Sequence, residues 1–165
     1  MNSNKNFKIK LIFPCTFETN HPYHRVSINP YMPVSYPPYG IGILAASLRQ
    51  HNYYVELDDF SVKFNWDNLP SNLRKNIDLD LLRNQKSIDS FLSSGHIEGK
   101  LNQAIDKMLN STSIDQFNLI GFSIPAYLYF IFALMIAKKI KQRNNKPIVI
   151  GGPFIALAGH LYPEA

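Results

Sequence analysis

Short apolar runs alternate with stretches of helical periodicity in the first half of the chain. The run 8–14 (Lys-Ile-Lys-Leu-Ile-Phe-Pro) ends on a proline and predicts a first strand that is buried on both faces. Across 39–50 the apolar residues follow the spacing i, i+3, i+4 and i+7, which predicts an amphipathic helix. The residues with this spacing are Ile41, Leu44, Ala45 and Leu48. The β-forming run 53–60 predicts a second strand, parallel to the first.

The second half of the chain continues the alternation. Residues 61–113 are polar and asparagine-rich, with helical periodicity around 69–92 and again in 97–109, which predicts a helical crossover with an insertion. A third strand at 117–124, a long helix at 127–143 and a fourth strand at 147–150 follow. This order of elements predicts a single α/β domain over residues 1–165, built on a parallel sheet.

The run 119–137 allows a second interpretation. It holds 19 residues without a charge and is followed by Lys138, Lys139 and Lys141, as at a membrane span with a positive flank. Gly121, Ser123 and Pro125 interrupt this run near its start, however. A strand, a turn and a buried helix therefore explain the run better, and we expect no membrane association.

Composition narrows the possible chemistry. With 45% hydrophobic and 18% charged residues, a chain of 165 residues can bury one core. The net charge of +5 is spread thinly, so it predicts no nucleic-acid partner. A single cysteine, Cys15, rules out an internal disulfide and any cysteine-ligated iron–sulfur cluster held by this chain alone. No secretion signal is visible, and we expect a cytoplasmic protein.

The number of predicted strands is low for this class of fold. Doubly wound sheets commonly have five or more strands, whereas this sequence predicts four strands and the start of a further helix. We therefore expect the sheet to lack its last strand or strands and the chain to be cut short at its C-terminus. An unpaired edge strand also favours association, so we expect a homo-oligomer.

Ligands of open parallel sheets bind at the carboxyl ends of the strands, which directs attention to three short segments. These are 14–16, 123–125 and 151–153, which follow the first, third and fourth strands. The paired glycines Gly151 and Gly152 let backbone approach a bulky ligand closely, although Gly-Gly-Pro also forms a simple strand-to-helix turn. The residues alone leave both interpretations open.

Three motifs in register resemble a known family. Pro-Pro-Tyr-Gly-Ile-Gly-Ile-Leu-Ala-Ala-Ser-Leu at 37–48, Leu-Ile-Gly-Phe-Ser at 119–123 and Ile-Val-Ile-Gly-Gly-Pro at 148–153 are similar to the N-terminal cobalamin-binding domain of B12-dependent radical SAM enzymes. The resemblance covers roughly residues 8–157. It implies a flavodoxin-like (Rossmann-like) doubly wound fold, with the corrin ring over the carboxyl ends of the strands and the nucleotide tail in the crevice of the sheet.

The resemblance also implies a set of cofactor-binding residues. Ser123 is expected to hydrogen-bond the tail, and Gly151 and Gly152 to line its channel. Pro14 and Cys15 are expected to face the corrin, and Tyr39 with Gly40 to close the other side of the crevice. The complete set of predicted binding residues is Pro14, Cys15, Tyr39, Gly40, Ser123, Pro125, Gly151, Gly152 and Pro153. Without the resemblance, Ser123 is equally well explained as a turn or helix-cap residue.

Two departures from related families limit the expected chemistry. The loop after the first strand lacks the Asp-x-His-x-x-Gly motif of methionine-synthase-like domains, so no cobalt ligand is assigned and the cobalamin is expected base-off, without a protein histidine. His21 and His24 in that loop are capable ligands but are better explained as solvated side chains. The Cys-x-x-x-Cys-x-x-Cys cluster motif is absent as well. The chain is therefore expected to carry a corrinoid for a radical SAM catalytic domain or subunit and not to be catalytic alone.

Other functions have weaker support. The main alternative is a non-catalytic remnant or protein-interaction module that has the same fold and binds no cofactor. Asp58 and Asp59 end the second strand, where a dinucleotide-binding fold holds a ribose, but no Gly-x-Gly-x-x-Gly follows the first strand. Phe154 stands where relatives often have histidine after Gly-Gly-Pro.

Overall fold

The computed structural model describes residues 6–14, 39–60, 85–96 and 99–161. Its sheet has four parallel strands in the order β2-β1-β3-β4. The strands are β1 (Lys8–Phe13), β2 (Tyr54–Asp59), β3 (Leu119–Ser123) and β4 (Ile148–Gly151). The predicted α/β, flavodoxin-like doubly wound fold is confirmed, and each predicted strand is present within two residues of its expected bounds.

Five helices are described alongside the sheet. They are α1 (Tyr39–Gln50), α2 (Gln85–Ser94), α3 (Gly99–Asn110), α4 (Tyr127–Asn144) and α5 (Pro153–Leu161). The predicted helices at 39–50 and 127–143 match α1 and α4. In the predicted crossover, α2 and α3 bear out the later part of the helical periodicity, and its earlier part at 69–84 lies outside the described residues.

One face of the sheet carries α2, α3 and α4 and a large core. Ile12, Ile120 and Phe122 point to this face, where they belong to a cluster of twenty buried residues. Helix α4 contributes buried residues on most of its circumference: Ile131, Phe132, Ala133, Met135, Ile136, Ala137 and Ile140. This burial explains the uncharged run 119–137, which is divided between β3 and α4. Within the described ranges, no helix is both long and apolar enough to cross a membrane.

The opposite face carries α1 and a much smaller core. In the part of the chain that the structure describes, five buried residues form it: Ile9, Leu11, Ile41, Ala45 and Val55. The periodicity predicted Leu44 on the inner face of α1 as well, but the Leu44 side chain is 48% exposed. Helix α1 packs on β1 and β2, so a position on its flank stays in solvent even though it has the correct helical spacing.

A buried charge lies in the middle of β1. The Lys10 side chain is 1% exposed and points to the same face as Ile12, the face covered by α2–α4. Its ammonium group forms ion pairs with Glu56 at 2.5 Å and Asp58 at 2.7 Å, both on β2. It also lies 5.1 Å from the centre of the Phe117 ring. Asp58 therefore has a structural partner, which the sequence did not indicate.

Candidate functional site

The order β2-β1-β3-β4 places a topological switch between β1 and β3. The chain leaves β1 for β2 on one side and later enters β3 on the other side. Connections on the two sides of such a point cover opposite faces of the sheet, so a crevice forms outside the carboxyl ends of the strands. The three segments singled out in the sequence follow β1, β3 and β4 and lie at this edge.

The last positions of the strands form a row across the sheet. Asp59 pairs with Phe13, and Ser123 pairs with Gly151. Ile12 pairs with Phe122. The residues that follow them, Phe13 and Ser123, are next to each other in the same register. Because side chains alternate between faces, all four positions of this row belong to the face that carries α1. Ser123 and Gly151, which the sequence motifs singled out separately, are thus direct neighbours.

The next row on this face is covered only in part. Leu11 is buried, whereas Val149 at the far end of the row is 54% exposed. Between them lies Gly121, where an added Cβ would approach the Leu11 side chain to 2.8 Å. The Leu11 side chain thus covers Gly121, and the exposed position of this row is Val149 on β4.

Helix α1 forms the boundary of the uncovered part of this face. Arg49 donates hydrogen bonds to the Val55 carbonyl, so that flank of α1 lies over β2. The helical period places Gly40 and Leu44 on the opposite flank, toward β3. Leu44 is half exposed there, and a Cβ on Gly40 would meet nothing within 4 Å. Among the described residues nothing covers the space between this flank and β4, which we call the open groove; its floor consists of Ser123, Val149 and Gly151.

The two glycines after β4 differ in their surroundings. A Cβ on Gly151 would meet no atom within 4 Å. Gly152 has φ +112°, and a Cβ there would lie 2.6 Å from the Ile124 carbonyl oxygen. Ile124 also donates a hydrogen bond to the Gly151 carbonyl and accepts one from the Phe154 amide. The backbone turn therefore explains Gly152 by itself, whereas Gly151 leaves free space in the open groove.

The other predicted binding residues lie along the same edge. Pro14 is buried directly after β1, and Tyr39 is 73% exposed at the start of α1. Pro125 and Pro153 are exposed in the turns that lead into α4 and α5. Cys15, together with His21 and His24, lies outside the described residues. The structure thus brings Pro14, Tyr39, Gly40, Ser123, Pro125, Gly151, Gly152 and Pro153 to one edge of the sheet.

Two aromatic residues at this edge were not identified from the sequence. Phe13 and Tyr129 pack together with ring centroids 5.4 Å apart and an interplanar angle of 48°. They are 116 positions apart in the chain, so only the fold brings them together. We call them the aromatic pair. Phe154, in contrast, packs against Phe130 at 5.5 Å on the side of the large core.

A small cavity lies at the other end of the molecule. It has a volume of about 170 Å³ and is lined in part by Thr112, Asp115, Arg143 and Asn144. Its polar groups already have partners, since Asn144 donates to Asp115 at 2.7 Å and Arg143 donates to Asp106 at 2.9 Å. These bonds join the end of α4 to α3 and to the segment that follows α3, so a structural role explains this cavity.

Comparison of the chain with models of protein families, with curated proteins and with solved structures finds no match. Within the described part of the chain, no group of three or more His, Cys, Asp or Glu residues is arranged to hold a metal ion. The geometry of the carboxyl edge is therefore the basis for a functional proposal.

Proposed function

We propose that this domain binds cobalamin, or a related corrinoid, at the carboxyl edge of its sheet and serves as the cofactor-binding part of a B12-dependent radical SAM-type system. The observation that carries this proposal is the direct pairing of Ser123 with Gly151 beside the topological switch. A hydroxyl group next to a position without a side chain suits the polar, bulky nucleotide tail of a cobalamin.

The residues of the open groove fit such a tail. A tail that lies on the floor of the groove needs room above Gly151, and no atom lies within 4 Å of a Cβ built there. Ser123, the neighbour of Gly151 in the sheet, is half-buried at the same place. Gly152 lacks a side chain because its backbone lies close to Ile124 in the turn after Gly151. It would therefore contribute to ligand binding only indirectly, through the shape of this turn.

The division of roles follows from these positions. Ser123 would donate to or accept from polar atoms of the tail, and Gly151 would leave the tail space. Pro14, Tyr39 and Gly40 would flank the ring above the edge. A bound corrinoid supplies a cobalt centre for group transfer or electron transfer. A separate radical SAM domain or subunit would use it, since Cys15 is the single cysteine of this chain.

The test is direct binding of hydroxocobalamin. The purified protein is mixed with hydroxocobalamin and desalted, the visible spectrum of the protein fraction is recorded, and Kd is measured by spectral titration. We expect co-elution and a base-off spectrum from the wild-type protein. Gly151→Val should weaken binding by about tenfold or more because its side chain enters the groove, while the unfolding midpoint stays unchanged.

Gly42→Val is the matched control. A Cβ on Gly42, as on Gly151, would meet nothing within 4 Å, but the helical period places Gly42 on the Arg49 flank of α1, away from the groove. The Gly42→Val variant should bind hydroxocobalamin as tightly as the wild-type protein. A well-folded wild-type protein that elutes without colour would reject the corrinoid proposal and favour the remnant or protein-interaction alternative.

A further inference from the structure

The aromatic pair spans the topological switch. Phe13 ends β1 on the face that carries α1, whereas Tyr129 belongs to the first turn of α4, on the opposite face. Their rings meet at 5.4 Å, so the contact crosses the carboxyl edge between β1 and β3. Both side chains are half-buried. Each ring therefore keeps part of its surface exposed at the mouth of the crevice.

Neighbouring aromatic residues have a different role. Phe130, next to Tyr129 in the chain, packs on Phe154 and on the large core. The first turn of α4 thus directs one ring into the helical layer and the other ring to the end of β1. Both side chains are half-buried and pack against the large core, so the contact with Phe13 across the carboxyl edge is what distinguishes Tyr129.

The aromatic pair and the open groove offer two different chemistries. The groove has a hydroxyl group and small residues, which suit a polar tail, whereas the pair presents apolar aromatic surface above the strand ends. Ligand sites are mostly apolar surfaces with a few polar groups that fix orientation. Aromatic residues also provide large contact areas at low entropic cost.

The geometry points to the aromatic pair as the surface on which the macrocyclic ring of the corrinoid packs, with Tyr129 as a specificity-determining residue for large, flat ligands. This inference rests on the proposed function and adds that different residues contact different parts of the corrinoid. The pair contacts the ring, and Ser123 with Gly151 contacts the tail. Removal of the Tyr129 ring should then weaken the binding of every corrinoid, with or without a nucleotide tail.

The experiment compares hydroxocobalamin with cobinamide, which keeps the corrin ring and lacks the nucleotide tail. Kd is measured for both ligands in the wild-type protein, Tyr129→Ala, Tyr129→Phe and Gly151→Val. We expect Tyr129→Ala to weaken both ligands by about tenfold or more, and Tyr129→Phe to stay within about twofold of wild type. Gly151→Val should weaken hydroxocobalamin much more than cobinamide.

Tyr54→Ala is the control, because Tyr54 is a half-exposed tyrosine in a similar ring contact with Phe117 at the opposite edge of the sheet. Suppose that the wild-type protein binds hydroxocobalamin and that Tyr129→Ala binds both ligands as tightly as the wild-type protein does. The role of the aromatic pair is then wrong, and the proposed function stands. If Tyr129→Ala weakens the binding of hydroxocobalamin but not of cobinamide, the role of the aromatic pair is also wrong. If wild-type protein binds neither ligand, both proposals fail. Should Tyr129→Ala not fold by circular dichroism, Tyr129→Leu replaces it with the same expectations.

Discussion

The two faces of the sheet differ in how completely they are covered. Within the described residues, the face under α2, α3 and α4 has twenty buried residues, whereas the face under α1 has five. On the second face α1 covers β1 and β2, whereas among the described residues β4 stays uncovered there, with Val149 54% exposed. We expect the covered face to supply most of the stability, while the other face leaves free space above Gly151.

This difference explains how one strand serves two purposes. In β3, Ile120 and Phe122 are buried in the large core, while Ser123 lies on the other face, at the open groove. The alternation of a strand thus separates residues that hold the fold from residues that are free to bind. Substitutions on the two faces should accordingly have different consequences for folding and for binding.

The largest loss of stability is expected on the covered face. Phe132 in α4 is fully buried, so Phe132→Ala removes its contacts and leaves a cavity, at a cost of about 3–5 kcal/mol in the free energy of unfolding. Urea denaturation measures this change. Leu157→Ala, at a position that is 55% exposed, is the control and should stay within about 0.5 kcal/mol of wild type. A cost below about 1 kcal/mol for Phe132→Ala would mean that this face is not the main core.

The second prediction separates the two glycines after β4. Gly152→Ala forces a side chain to φ +112° and onto the Ile124 carbonyl, which should cost about 2–3 kcal/mol. Gly151→Ala enters open space and should change stability by no more than about 0.5 kcal/mol. Thermal unfolding of the two variants measures the difference. Equal losses would show that the space above Gly151 is occupied.

The strands and helices could be predicted because local patterns determine them. Apolar runs of strand length and the spacing of residues in α1 and α4 gave their bounds closely. The burial of Leu44 was predicted wrongly, because helical spacing does not say how much of the sheet a helix covers. The charge in the middle of β1 was not recognised as buried, since its partners Glu56 and Asp58 lie on another strand.

The candidate site was predictable only in part for a related reason. Ser123, Gly151 and Gly152 follow strands, and the carboxyl ends of parallel strands meet at one edge, so their proximity could be expected. Phe13 and Tyr129 belong to no motif, and their contact depends on the strand order β2-β1-β3-β4. The different roles of the two glycines also depend on backbone geometry around Ile124, which sequence spacing does not contain.

The third prediction concerns the charge on the covered face. Lys10→Met leaves Glu56 and Asp58 without their buried cation and should cost about 1–3 kcal/mol. The cost is below that of a fully buried pair because the Glu56 side chain is 38% exposed and stays hydrated. Urea denaturation checks the value, with Lys8→Met as the control from the same strand.

A triple variant separates the lost ion pair from the changed packing. Adding Glu56→Gln and Asp58→Asn to Lys10→Met removes the unpaired carboxylates, so part of the lost stability should return. If the triple variant is less stable than Lys10→Met, the carboxylates are held by other groups and the lysine is not their main partner. That result would leave the large core of the covered face as the sole source of stability there.

The smallest effect is expected on the uncovered part of the other face. Val149→Thr keeps a β-branched side chain in β4 and exchanges a methyl group for a hydroxyl group that remains in solvent, so stability should change by less than about 0.5 kcal/mol. Ile150→Thr, at a partly buried position packed against the large core, replaces an ethyl group with a hydroxyl group and should cost markedly more, both for the lost packing and for the buried hydroxyl group. Urea denaturation of Val149→Thr and Ile150→Thr therefore compares the two faces within one strand. A cost above about 1.5 kcal/mol for Val149→Thr would mean that a further part of the chain or a second copy covers β4, and the groove would then not be open to a ligand.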